Sequence, residues 1–183
     1  MNAAVFLFRE KIDAGGSDRK ICAALEFCRR AGIDGIPVMP RLHRTSSGKP
    51  YVENGNVFVS VTHTRGLAAV AVSDGEIGVD AERSDRVVKN YGRICESRFS
   101  RREKEFVRSA GGDGAERFLQ VWVKKEAYLK YTGQGLSGFR SSDVFSADGC
   151  FTKVPIDGFE IWLYTAEMPA GPVKIVEMDE TVN

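Results

Sequence analysis

Apolar residues recur along the chain at two distinct periods. A continuous run, Ala3 to Phe8, predicts a first strand, and between Asp18 and Arg30 the residues Ile21, Leu25 and Cys28 fall at spacings of four and three, one stripe of a helix. The intervening DAGGSD reads as a turn in which Ser17 or Asp18 caps that helix, and Gly32 supplies its stop. Residues 37–56, rich in Pro, Gly, Ser and Asn, read as a long loop that carries a basic cluster of Arg41, His43, Arg44 and Lys49. Three β-like runs follow at 57–63, 67–73 and 76–82, the last two joined across Asp74-Gly75 as a hairpin.

Residues 83–108 have a helical pattern that GGDG at 111–114 breaks. A further helix runs through FLQVWVKKEAYLKYT at 118–132, with Asp113 and Glu116 spaced as a capping box and Gly133 as its stop. Beyond it, apolar and polar residues alternate around Asp148-Gly149 and Asp157-Gly158, the pattern of an antiparallel meander. The order strand, helix, strands is thus roughly repeated. The predicted class is α+β: one domain over 1–183, a pseudo-dimer of halves at about 1–77 and 78–183, each an antiparallel sheet packed with a long helix. A chain of 183 residues with 43% hydrophobic content is long enough to bury one substantial core.

Charge narrows the partners. With 26 Lys and Arg against 25 Asp and Glu, the net charge of +1 creates no global field toward nucleic acid or a membrane. The exception is local: residues 83–108 hold nine basic against four acidic side chains, a net of +5. The longest apolar runs, Ala3–Phe8 and Leu67–Val72, reach six residues, too few for a signal-peptide core or a membrane span, so a soluble cytoplasmic protein is expected. The four cysteines form no CxxC pair, which argues against zinc or a redox dithiol, and Cys22 and Cys28 in the first helical stripe read as buried thiols.

Candidate chemistry comes from charges in unexpected places. At about 100° per residue, with Trp122 at zero, Lys125 falls near about −60°, Glu126 about +40°, Leu129 about −20° and Lys130 about +80°. The charges therefore border an apolar stripe. Either Glu126 and Lys130 are a solvated i,i+4 pair, or they bind something, because burying unpaired charge is costly. In GVDAE, Asp80 and Glu82 stand two apart on a strand and project from one face, where they repel unless solvent or a cation intervenes. With Glu126 they offer three oxygen ligands suited to Mg²⁺, flanked by Lys125 and Lys130 for phosphates. His63, at a strand end, and Lys49, in a Gly-Lys-Pro turn, have local structural readings as well as functional ones.

Five segments occur in order: GKPY (48–51), SVTH (60–63), GVDAE (78–82), RFSRREKEF (98–106) and WVKKEAYLK (122–130), followed by GQGL. In this order they resemble the 4′-phosphopantetheinyl transferases, specifically the larger monomeric type that activates peptide and polyketide synthetases. The resemblance implies a Mg²⁺-dependent enzyme that moves the phosphopantetheine arm of coenzyme A onto a serine of an apo acyl or peptidyl carrier protein. Asp80, Glu82 and Glu126 match the family's metal carboxylates, with Glu126 also the general base. Lys130 and Lys125 match its W-x-x-K-E-x-x-x-K lysines, Lys130 meeting the pyrophosphate. His63, with the Thr62 hydroxyl before it and Lys49, matches coenzyme contacts, and Arg19 matches a 3′-phosphate contact.

The chain departs from the pattern where Thr62 replaces the usual Ser and Gln134 a common Lys, and its N-terminal region is shorter. Lys125 lies on the far side of Trp122 from Glu126, which also allows it a structural ion pair. The basic segment 83–108 suits an acidic carrier, or is an ordinary solvated helix. Two rival classes stand beside this reading: a metal-dependent phosphodiester hydrolase using the same carboxylates with water as nucleophile, and a non-catalytic coenzyme A or carrier-binding module that has kept the fold, against which the intact Asp80, Glu82, Glu126 and Lys130 argue.

Overall fold

A computed structural model of the chain describes residues 1–9, 16–111 and 114–178. Part of the DAGGSD turn, and Asp113 of the expected capping box, lie outside them. The elements are β1 (Ala3–Phe8), α1 (Ser17–Arg30), β2 (Leu42–Arg44), β3 (Pro50–Val52), β4 (Phe58–Thr64), β5 (Leu67–Ser73), β6 (Ile77–Arg83), α2 (Tyr91–Arg98), α3 (Arg101–Arg108), α4 (Ala115–Thr132), β7 (Cys150–Lys153), β8 (Phe159–Thr165) and β9 (Lys174–Met178), with a 3-10 turn at Gly135–Phe139. The chain is a mixed α+β structure. Among the described residues no helix is long and apolar enough to cross a membrane.

Strand pairing divides the core into layers. One sheet runs β4-β5-β1-β9 and a second β6-β8-β7, while β2 and β3 form a separate hairpin. In β1, Ala4, Phe6 and Phe8 face α1, whereas Val5 and Leu7 face Ile77, Val79 and Ala81 of β6 and Ile161 and Leu163 of β8. The first sheet is therefore covered on both faces, which explains why every residue of β5 is buried and LAAVAVS shows no alternation. The outer side of the second sheet carries α4, whose buried residues Phe118, Leu119, Val121, Val123, Ala127 and Leu129 point in several directions. A helix apolar on more than one side is an enclosed helix.

Several expectations are corrected by this layering. Asp74-Gly75 does not close a hairpin: β5 and β6 belong to different sheets, packed face to face, and Asp74 instead accepts hydrogen bonds from Asn2 N (2.9 Å) and Asn2 Nδ2 (3.1 Å). The loop at 37–56 contains the β2–β3 hairpin. The basic segment is helical only from Tyr91, in two short helices. Neither Ser17 nor Asp18 caps α1, whose N-cap is Gly16 with no side-chain cap bond, and α4 likewise starts from Gly114. Of the C-terminal meander, β7 and β8 pair antiparallel, but β9 crosses to lie parallel beside β1. The first sheet is consequently mixed and is completed by a strand from the second half of the sequence.

One residue sets the spacing between β6 and α4. Gly78, Asp80 and Glu82 share a face of β6, and a Cβ on Gly78 would lie 2.0 Å from the Ala127 carbonyl oxygen and 2.6 Å from the Tyr131 nitrogen. These are backbone atoms and cannot swing aside. Gly78→Ala is expected to push α4 off the sheet and destabilise the chain by roughly 1–3 kcal/mol or more, the usual penalty of overpacking, as measured by urea unfolding. An unchanged midpoint would show that the two backbones are not held this close.

Candidate active site

The strands β4 and β6 are edges of their two sheets, and they meet. Three hydroxyls spaced by two along β4 join them: Ser60 Oγ accepts from Val79 N (3.1 Å), Thr62 Oγ1 donates to Asp80 Oδ1 (2.8 Å) and Thr64 Oγ1 donates to Glu82 Oε2 (2.9 Å). This ladder satisfies part of an otherwise open edge and orients both carboxylates. It was legible as a period-two run of hydroxyls in SVTHT, of which only Thr62 stands among the candidate residues.

Across the junction, α4 brings Lys130 Nζ to 2.7 Å from Asp80 Oδ1. Asp80 is buried, and Glu126 sits one helical turn before Lys130. Asp80, Glu82, Glu126 and Lys130 line one cavity of ≈ 440 Å³ together with Thr62, His63 and Lys49. Arg44 and Ser47 also line it and were absent from the candidate set, although Arg44 belongs to the basic cluster in the sequence. Arg44 Nη1 donates to the Gly48 carbonyl (3.0 Å), and its guanidinium pairs with Asp18 at the head of α1.

Two candidates lie elsewhere. Arg19 is exposed on α1 and does not line the cavity. Lys125 is turned the other way: its Nζ donates to Glu103 Oε1 (3.0 Å), Glu103 Oε2 (2.9 Å) and the Ser142 carbonyl (2.5 Å), with both charged side chains fully buried. Lys49 lines the cavity, but its ammonium is engaged, donating to the Tyr131 carbonyl at the end of α4 (2.6 Å) and pairing with Glu76. His63 is exposed at the cavity wall.

The carboxylate pair and the lysine are carried by two elements, β6 and α4, and both fall inside one matched segment. Residues 76–160 match the 4′-phosphopantetheinyl transferase superfamily. The chain is 29% identical over 120 residues to a putative 4′-phosphopantetheinyl transferase of Synechocystis sp., covering 63% of this chain and 48% of that protein. It is 32% identical over 106 residues to the 4′-phosphopantetheinyl transferase HetI of Nostoc sp., covering 54% and 44% respectively, and 29% identical over 91 residues to the 4′-phosphopantetheinyl transferase gsp of Aneurinibacillus migulanus, covering 49% and 36%. The chain spans less than half the length of these three relatives.

Within the superfamily segment the electrostatics are uneven. Burial, and then the neighbouring Asp80 charge, push the Glu126 carboxyl up to about 7, against the pull of Lys130 and Arg86. In kind, the donor set suits a hard cation, since it is built from carboxylate oxygens with no thiol. Among the described residues no three such groups stand together as a finished cage. Two of the carboxylates are already held by cations of the chain, Asp80 by Lys130 and Glu82 by Arg86. A cation bound there would offset the burial and the Asp80 charge that raise Glu126, so in kind the residues fit such an ion.

The raised Glu126 pKa has a measurable consequence without metal. Its folded value of about 7 stands above the ordinary 4.5, so folding favours the protonated form. That contribution is complete below pH 4.5 and is lost as pH rises through about 7, on the order of 3 kcal/mol in all. In chelator-treated samples the wild-type chain is therefore expected to lose stability relative to Glu126→Gln between about pH 5 and about pH 8, by urea unfolding. Parallel curves for the two chains would refute the shift.

Proposed function

We propose that this chain transfers the 4′-phosphopantetheine arm of coenzyme A to a serine of an apo acyl or peptidyl carrier protein, releasing 3′,5′-ADP. The observation that carries the reading is the meeting of Asp80 and Glu82 on β6 with Glu126 and Lys130 on α4 around one cavity, inside the segment that matches the superfamily. The relatives' names support the transferase class, and the cavity lined by these residues supports the reading of the site.

The serine oxygen forms a bond to the β-phosphorus while the pyrophosphate bridge breaks toward the nucleotide. Phosphoryl chemistry of this kind is mostly positioning and charge stabilisation. Glu126 takes the serine proton, as a carboxylate tuned toward neutrality is suited to do. Lys130, fixed by Asp80, faces the pyrophosphate. Lys49, His63 and Arg44 stand along the cavity for the remaining phosphates, with Thr62 holding Asp80 in place. Asp80, Glu82 and Glu126 would hold Mg²⁺, which when bound neutralises charge on the phosphate oxygens.

The carrier is acidic and meets the segment 83–108, whose net positive charge is more exposed than its composition states because Glu103, one of its four acids, is buried with Lys125. Steering by that surface makes association salt-sensitive. The reading includes a cytoplasmic monomer of the larger, synthetase-activating type. It also includes a pseudo-dimeric organisation, supported by one long helix on the outer face of each sheet, α1 on the first and α4 on the second.

Incubation with coenzyme A, Mg²⁺ and an apo carrier tests the proposal by intact mass. A gain equal to the phosphopantetheine arm supports it, and chelation is expected to abolish the gain. Coenzyme A breakdown without carrier labelling would favour a phosphodiester hydrolase, and no change in either a binding module.

A further inference from the structure

Arg86 meets one of the candidate metal carboxylates, Glu82, from outside the first cavity. Its guanidinium pairs with Glu82, which also accepts from Thr64 Oγ1 at 2.9 Å. The Arg86 side chain is 44% exposed, whereas that of Glu82 is 17% exposed. Behind the pair lies a second cavity of ≈ 610 Å³, lined by Thr64, Arg65, Glu82, Arg83, Asp85 and Arg86, so Glu82 is a wall common to both cavities. Arg86 stands on an irregular segment between β6 and α2, held there by a turn in which its N–H donates to the Arg83 carbonyl (3.0 Å).

The two internal counter-ions are therefore unequal. Lys130 reaches Asp80, whose side chain is only 5% exposed and is also held by Thr62, so that pair is anchored in the fold. Arg86 is the more exposed member of its pair and also lines the second cavity, so its guanidinium has solvent to return to, and a partly exposed ion pair is weaker than an enclosed one.

We propose that Arg86 is a displaceable counter-ion for Glu82: it neutralises the carboxylate while no divalent cation is present and must leave when one binds, so that Arg86 sets the apparent cation affinity. This rests on the metal site of the proposed function. It also couples cation occupancy to residues 84–90, the start of the basic segment.

The test is Mn²⁺ binding, read from the free-ion electron paramagnetic resonance signal, for the wild-type chain, Arg86→Gln and Arg65→Gln. Arg86→Gln is expected to bind Mn²⁺ about fivefold more tightly, the size of one partly exposed ion pair. Arg65→Gln removes the same charge from the same cavity without touching that pair, and is expected to change binding far less. Equal tightening by both variants would reduce the effect to net charge and overturn the proposal, as would no tightening by Arg86→Gln. Absence of Mn²⁺ binding in all three chains would overturn the metal reading itself, and the counter-ion role with it.

Discussion

Replacing Lys125 with Met is expected to destabilise the chain by about 3–5 kcal/mol while leaving coenzyme A binding by the folded fraction unchanged. The size follows from what the ammonium leaves behind. Glu103 is fully buried, and its carboxylate also accepts from Ser100 N (2.7 Å) and Val144 N (2.9 Å). Those two neutral donors cannot offset a buried negative charge by themselves. Burial pulls the Lys125 ammonium down, opposed by its hydrogen bonds to Glu103, so the lysine depends on that carboxylate to stay charged. A simple apolar swap of the pair is not expected to restore stability, because Glu103 has two further tasks. Its side chain completes the capping box of α3 with Ser100, and it tethers the segment after the 3-10 turn through Val144. Urea unfolding of Lys125→Met, Glu103→Gln and the double variant is expected to show a double effect well below the sum of the two. A Lys125→Met chain within about 1 kcal/mol of wild type, a change typical of surface positions, would contradict the buried pair. If coenzyme affinity fell with stability intact, Lys125 would belong with the phosphate ligands instead.

The reach of the sequence is clearest at this lysine. Its helical angle placed it on the opposite side of Trp122 from Glu126, which is correct, but the resemblance grouped it with Lys130 because a motif records order and not direction. The partner is also legible in principle, since Ser100 and Glu103 have capping-box spacing; of the other pair so spaced, Glu116 lies in the first turn of a helix whose N-cap, Gly114, has no side-chain cap bond. The longer strands β1, β4, β5 and β6 are legible because side chains alternate or run apolar over six or seven residues, whereas the three-residue strands β2 and β3 are too short to show a period. Pairing was not, because Asp74-Gly75 is a local turn signal. Whether the strands beside it pair edge to edge or stack face to face depends on Ile77, Val79 and Ala81 finding Val5, Leu7, Ala69 and Ala71. That choice is made by the assembled core.

The site follows the same division. The parity of Asp80 and Glu82, and the one-turn spacing of Glu126 and Lys130, are properties of single elements and can be read directly. That β6 and α4 touch is signalled only by Gly78, where the missing side chain lets the helix backbone approach. Arg86 was not legible as a site residue because it lies on an irregular segment with no period, and only the folded turn carries it to Glu82.

Asp80→Asn is expected to lower the rate of phosphopantetheine transfer by about 10²- to 10³-fold, the scale seen when one preorganised electrostatic contact is removed from a reacting centre, with little loss of stability. Asparagine keeps an acceptor for the Thr62 hydroxyl at nearly the same volume. It also removes the charge that repels Glu126, so the Glu126 carboxyl is expected to fall from about 7 toward the ordinary range. What disappears is the anchor that holds Lys130 Nζ at 2.7 Å, together with one of three carboxylates available to a cation. Because Asp80 and Lys130 act as one unit in this arrangement, Lys130→Met added to Asp80→Asn is expected to slow transfer far less than it does in the wild-type chain. Rates that fall additively would mean that Lys130 meets the phosphates without help from Asp80. Wild-type kcat in Asp80→Asn, with the fold intact, would remove Asp80 from the reaction.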